Sequence, residues 1–156
     1  MTFSNPLLVE LVVPKSQEVD SRIRNFYKNI NWDVRDDTVG KDYTYVQPKL
    51  VAGVAPMIVY GQNPDPKKTE FFVNQKDSMR SQYCDGVTMP FEFDLVEICM
   101  ALPTNSDVVN LYEQGGELLQ KHIKVPLREY YGVQEFRFVD PFNYVIRITV
   151  DPGWEK

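Results

Sequence analysis

Apolar and polar side chains alternate most clearly between residues 136 and 149. Phe136 and Phe138 flank Arg137, and Tyr144, Ile146 and Ile148 alternate with Val145, Arg147 and Thr149. A period of two predicts paired strands with one buried face each. Asp140-Pro141 between them predicts the reversal. Proline presets φ for a turn, and an aspartate side chain can bond the backbone two residues on. Asn143 tolerates the left-handed conformation better than most residues, so it suits the far side of the turn.

The same reasoning lays out the rest of the chain. The run 7–13, Leu-Leu-Val-Glu-Leu-Val-Val, is a strand ended by Pro14. The period then changes: Val19, Ile23, Phe26, Tyr27 and Ile30 fall on one face of a helix, with Ser16 as its N-cap. Strands are predicted over 32–39, 43–46 and 55–60, the last closed by Gly61-Gln62-Asn63-Pro64. Residues 62–90 are polar, turn-rich and without clear period. Order returns over 91–102, where Phe91, Phe93, Leu95 and Glu97 share one face. Thr104-Asn105-Ser106-Asp107 is rich in capping residues, and Val108, Leu111, Tyr112, Gly115, Leu118 and Leu119 follow at helical spacing. Gly115-Gly116 weakens that helix by roughly 1 kcal/mol per glycine. A strand over 121–125, ended by Pro126, leads to the closing hairpin. Each half therefore reads β-α-β-β-β. The expected fold class is α+β, a single domain over 1–156 with module one at about 6–61, a connecting segment at 62–90 and module two at about 91–150.

Composition narrows the function. The chain has 156 residues, 43% of them hydrophobic and 25% charged, with a formal net charge of -5. That is ordinary globular composition. It argues against a nucleic-acid groove, which needs a basic stripe. It mildly favours neutral or cationic ligands, though solubility alone explains it. Cys84 and Cys99 have no metal-type spacing; Cys99, in an apolar run, reads as a small buried hydrophobe. No stretch reaches membrane-spanning length and residues 1–6 do not read as a signal peptide, so a cytoplasmic location is expected.

Tyr131-Gly132-Val133-Gln134-Glu135-Phe136-Arg137-Phe138-Val139-Asp140-Pro141 resembles the closing hairpin of the vicinal oxygen chelate superfamily, and its order of aromatic-Gly, Glu-Phe and Asp-Pro is most similar to the glyoxalase and bleomycin-resistance branch. Phe142-Asn143 stands where that family usually has a glycine. The doubled β-α-β-β-β unit and residues 20–28, ending in Phe26-Tyr27-Lys28, extend the resemblance over nearly the whole chain. It implies tandem βαβββ modules whose curled mixed sheets surround a cleft, and assembly as a homodimer.

In the metal-using members, the ligands are His, Gln or Glu at four strand positions. By the resemblance these fall near Leu8, near Val59 or Tyr60, near Glu97 and at Arg147. Leucine cannot ligate, and arginine has no lone pair to give. A divalent metal needs several converging donors, so no metal and no cofactor are expected. Glu10, on the same face as Leu8, would restore one donor if the register slipped. The chain's single histidine, His122, lies away from all four positions.

What is left is a cleft carrying Glu97 and Arg147. Either they form a salt bridge across the vacated metal position, or Arg147 binds an anionic or carbonyl group and Glu97 a cationic or hydroxyl group. Buried charge must be paired in either case. Trp32, Tyr45, Tyr60, Phe93 and Tyr131 are the candidate aromatic lining, set against the alternative that strand aromatics are simply core. The expected function is a metal-independent protein that encloses a small organic ligand without changing it. The competing readings are an enzyme of the same superfamily (a lyase, isomerase or dioxygenase) with Glu97 as base, and a structural or regulatory dimer whose cleft is filled by side chains. No nucleic-acid or membrane partner is expected.

Overall fold

The computed structural model describes residues 8–53, 55–63 and 97–150. Phe91, Phe93, Leu95 and Cys84, with residues 64–90 of the connecting segment, lie outside them. The described chain forms two four-stranded mixed sheets. The first contains β1 (Leu8–Pro14), β2 (Asp33–Val34), β3 (Tyr43–Gln47) and β4 (Met57–Asn63), in the order β1-β4-β3-β2. The second contains β5 (Glu97–Leu102), β6 (Ile123–Tyr130), β7 (Val133–Val139) and β8 (Val145–Val150), in the order β5-β8-β7-β6. β1 runs parallel to β4 and β5 parallel to β8, and the other pairings are antiparallel. The expected α+β fold of tandem βαβββ modules with curled mixed sheets is what the chain adopts.

The helix α1 (Gln17–Asn29) forms where the period predicts it. Ser16 caps it, its hydroxyl accepting from the Val19 amide at 3.0 Å. Ile23, Phe26 and Tyr27 are buried on its inner face, with Ile30 just beyond its end. The second helical stretch is broken in two, α2 (Asn105–Gln114) and α3 (Gly116–His122). Gly116 sits at φ +62, and a Cβ on Gly115 would collide with Leu119. The glycine pair thus ends one helix and starts another rather than weakening a single one. Thr104 and Asp107 form a reciprocal capping box on α2.

Three strand boundaries differ from expectation by more than two residues, and Lys121-His122, expected to open a strand, complete α3 instead. The strand expected over 32–39 stops at Val34 and becomes a 3-10 turn, Asp36–Thr38. Arg24, buried under it, donates to the Arg35 carbonyl and to the Thr38 hydroxyl, both at 2.9 Å, and so fixes the turn. β4 runs on through Gly61 and Gln62, where a loop was expected. Gly61 lies beneath the Glu10 carboxylate, which a Cβ would strike, so the glycine serves close packing inside the sheet. β6 passes through Pro126 instead of ending there. It is an edge strand whose pairing shifts twice near the proline, a bulged edge being where a strand tolerates a missing N–H.

One core joins the two modules. Ile58, Tyr60 and Val46 of the first sheet, Phe136, Phe138, Ile146 and Ile148 of the second, and the inner faces of the helices form a single buried cluster. Across it, Phe26 meets Phe138 and the His122 ring. The opposite face of each sheet is the one the resemblance assigns to the cleft.

A buried polar chain crosses the same boundary. Tyr60 donates to Asp140 Oδ2 at 2.6 Å, so the Tyr27 hydroxyl, 2.6 Å from that of Tyr60, is the donor between the two phenols. Burial, with Asp140 nearby, raises both phenol pKa values well above their ordinary value. The sign of the linkage follows. Unfolded tyrosines lose protons near pH 10 while the native ones keep theirs, so stability is complete below that pH and falls as pH rises beyond it. Melting of the wild-type protein between pH 8 and 11 is expected to show this loss, and Tyr27→Phe is expected to reduce its slope. Equal slopes would remove Tyr27 from the account.

Candidate functional site on the cleft face

Register fixes which side chains share the cleft face of the second sheet. Glu97 pairs with Val145 and Cys99 with Arg147 on one side of β8; Arg137 pairs with Arg147 on the other. Since alternate residues share a face, Glu97, Cys99, Arg147, Arg137 and Glu135 all lie away from the helices. Arg128 of β6 stands opposite Glu135.

Two arginines directly across a ladder repel. Here carboxylates interleave with them. Glu135 is fully buried. Its Oε2 accepts from Arg147 Nε at 2.6 Å and its Oε1 from Arg128 Nε at 3.0 Å. Arg137, 1% exposed, lies 3.0 Å from Glu97 Oε1 and 3.6 Å from Glu135 Oε2. The Tyr130 ring lies 4.5 Å from the Arg128 guanidinium and 5.7 Å from that of Arg147.

The expected salt bridge between Glu97 and Arg147 is therefore not the one formed. Glu97 stands one row from the row that Arg137 and Arg147 share; its carboxylate reaches Arg137, and Glu135 takes Arg147. Glu135, Arg137 and Arg128 went unrecognised in the sequence. The signal for them was present: Glu135 and Arg137 fall two apart on β7, the period that put Phe136 and Phe138 on the other face. Cys99 is also corrected. It is exposed on the cleft face, because it shares parity with Glu97 and not with Ile98 and Met100. Burial nonetheless raises its thiol pKa, partly offset by Arg147.

The aromatic candidates divide. Tyr45 is half-buried on the cleft face of the first sheet, opposite Val59, edge-on to Tyr43 and beneath Arg35. Tyr131 is 90% exposed at φ +49, its ring edge-on to Tyr130 at 4.5 Å. Trp32 and Tyr60 belong to the shared core: Trp32 packs edge-on to Phe138, and Tyr60 points at Tyr27 and Asp140. The structure does not bring these two to the cleft.

The positions where the resemblance calls for metal ligands are related by register. Leu8 and Glu97 open equivalent outer strands, opposite Met57 and Val145; Val59 and Arg147 are the third residues of the inner strands beside them. Two aliphatic side chains, one carboxylate and one guanidinium do not make a divalent-metal site. Glu10 adds a carboxylate across from Val59. Among the described residues no group of three or more His, Cys, Asp or Glu could hold a metal ion. His122 is occupied elsewhere, its Nδ1 2.9 Å from the Val139 carbonyl.

A separate cavity of about 620 Å³ opens between the first turns of α1 and residues 39–41, on the helix side of the first module. Asp20, Arg24, Lys15, Lys41 and Gln62 line it. Burial would raise the Asp20 pKa, but hydrogen bonds from Thr44, Arg24 and Gln62 outweigh that and hold it below the usual carboxylate range.

The doubled sheet, the strand order and the cleft face together define a fold, that of the glyoxalase, bleomycin-resistance and dioxygenase proteins. Solved structures support this. A glyoxalase/bleomycin resistance protein/dioxygenase from Alicyclobacillus acidocaldarius superposes with TM-score 0.52 at 9% identity, over 94% of this chain and 91% of that one. UcmS2 superposes with TM-score 0.52 at 15% identity, over 96% of this chain and 100% of that one. No family model matches the chain, and no curated protein matches it. No helix among the described residues is long and apolar enough to cross a membrane.

Proposed function

We propose that the protein binds a small organic molecule in the cleft without the help of a metal, in the manner of the bleomycin-resistance branch its hairpin resembles. One observation carries this reading: a buried carboxylate holds Arg147, the residue that stands where the resemblance calls for a metal donor. A guanidinium so placed repels a cation and recognises a ligand directly. Glu97 as a general base has less support, since its Oε1 lies against Arg137. The remaining aromatic edge is supplied by Tyr45, Tyr130 and Tyr131. Assembly as a homodimer belongs to the same proposal, supported by the exposed Leu8 on the edge strand β1. So does a cytoplasmic setting, which suits a free, exposed Cys99.

A thermal-shift screen against small aromatic compounds tests the binding reading. A native-state ligand at a hundred times its Kd adds about 2.7 kcal/mol, which for a chain of this size is a rise of roughly 5–10 °C. Elemental analysis of the purified protein is expected to find no stoichiometric transition metal. A full equivalent of bound metal would overturn the proposal.

A further inference from the structure

The geometry points to a carboxylate as the group that the cleft ligand places on Arg147, with Glu135 as the residue that positions the guanidinium. This rests on the ligand-binding reading above and narrows it to organic acids. Arg147 spends its Nε on Glu135. Its Nη1 and Nη2 donate to no described residue, and the side chain is 24% exposed on the cleft face. A guanidinium fixed at Nε presents its far edge, two parallel N–H bonds, in the geometry that takes both oxygens of a carboxylate. Glu135 is fully buried, so a ligand does not touch it; it acts by holding Arg147 in one rotamer. The Tyr130 ring flanks the guanidinium and leaves an aromatic surface beside the anion. This ligand charge is opposite to what the net charge of -5 suggests; the local guanidinium decides recognition at contact distance, where overall charge counts for little.

The probes are benzoate and 1-naphthoate, compared with their neutral amides and cationic amidines, by calorimetric titration of the full chain. The acids are expected to bind about tenfold or more tightly than the amides, the ratio expected of a charge-assisted pair. Arg147→Gln is expected to abolish that preference, so that acid and amide bind alike, and Arg147→Lys to restore only part of it. Glu135→Gln is expected to shrink the preference without changing amide affinity, a pattern that mere loss of folding would not produce. If Glu135→Gln fails to fold, the two Arg147 variants still decide the matter. Amides or amidines binding as well as the acids would overturn the carboxylate assignment and leave the small-molecule reading standing. An acid preference that survives Arg147→Gln would overturn the role of Arg147. Inorganic phosphate matching benzoate would replace an organic-acid site with a general anion site. Binding of none of the three classes would overturn the narrowed reading and weigh against the broader one.

Discussion

Glu135→Ala is expected to destabilise the protein by about 3 kcal/mol, the lower end of what removing one partner from a buried ion pair costs. The lower end applies because two of the arginines that Glu135 serves, Arg128 and Arg147, have side chains 28% and 24% exposed and recover some hydration. Arg137, 1% exposed, does not, and it would lose one of its two described carboxylates. For a domain of this length that is a fall in Tm of roughly 6–12 °C. Glu97→Gln should cost much less, because Glu97 is 20% exposed and leaves Arg137 beside Glu135. Urea denaturation of the two variants checks the order. A smaller loss for Glu135→Ala than for Glu97→Gln would mean that Glu135 is not the centre of the charge lattice.

The fold was legible because its period is strong where its core is. Ile23, Phe26, Tyr27 and Ile30 mark the inner face of α1, and Phe136, Phe138, Ile146 and Ile148 mark one face of the second sheet; all eight are buried together. The boundaries that shifted are those where a distant side chain overrides local pattern. Arg24 captures the Arg35 carbonyl and ends β2, and the Glu10 carboxylate over Gly61 turns an apparent stop into strand. The site was legible in part. Arg147 and Glu97 could be found by counting from Asp140-Pro141 and along β5, yet their partners depend on a diagonal offset between three strands that no single-strand pattern contains. Tyr60 illustrates the same gap. Its parity puts it with Ile58 on the helix side, but a tyrosine in a strand reads equally well as pocket wall until its hydroxyl is found on Asp140.

Asp140→Ala is expected to cost about as much again, on the order of 4 kcal/mol, for a different reason. The carboxylate of Asp140 closes its own turn, with Oδ1 accepting from the amides of Phe142 at 2.9 Å and Tyr144 at 2.8 Å, and Oδ2 ties that turn to Tyr60 in the first module. Asn143, at φ +65, also donates its amide to the Asp140 carbonyl, so the turn keeps that bond when the side chain is lost. Three donors lose their acceptor at about 1–3 kcal/mol each, less what solvent restores at the half-exposed Phe142 and Tyr144. Asp140→Asn separates the two roles. An amide oxygen can still accept from both backbone N–H groups, but its NH₂ then meets a phenol that was donating, so roughly half the loss should persist. Because β8 begins two residues after Asn143, the turn also sets where Arg147 stands. Well below the melting temperature its register is held by β5 and β7 as well, so the acid-over-amide preference should survive in Asp140→Asn. A stable Asp140→Ala variant, within about 1 kcal/mol of wild type, would show that Pro141 and Asn143 shape the turn unaided and that the link between modules runs through packing alone.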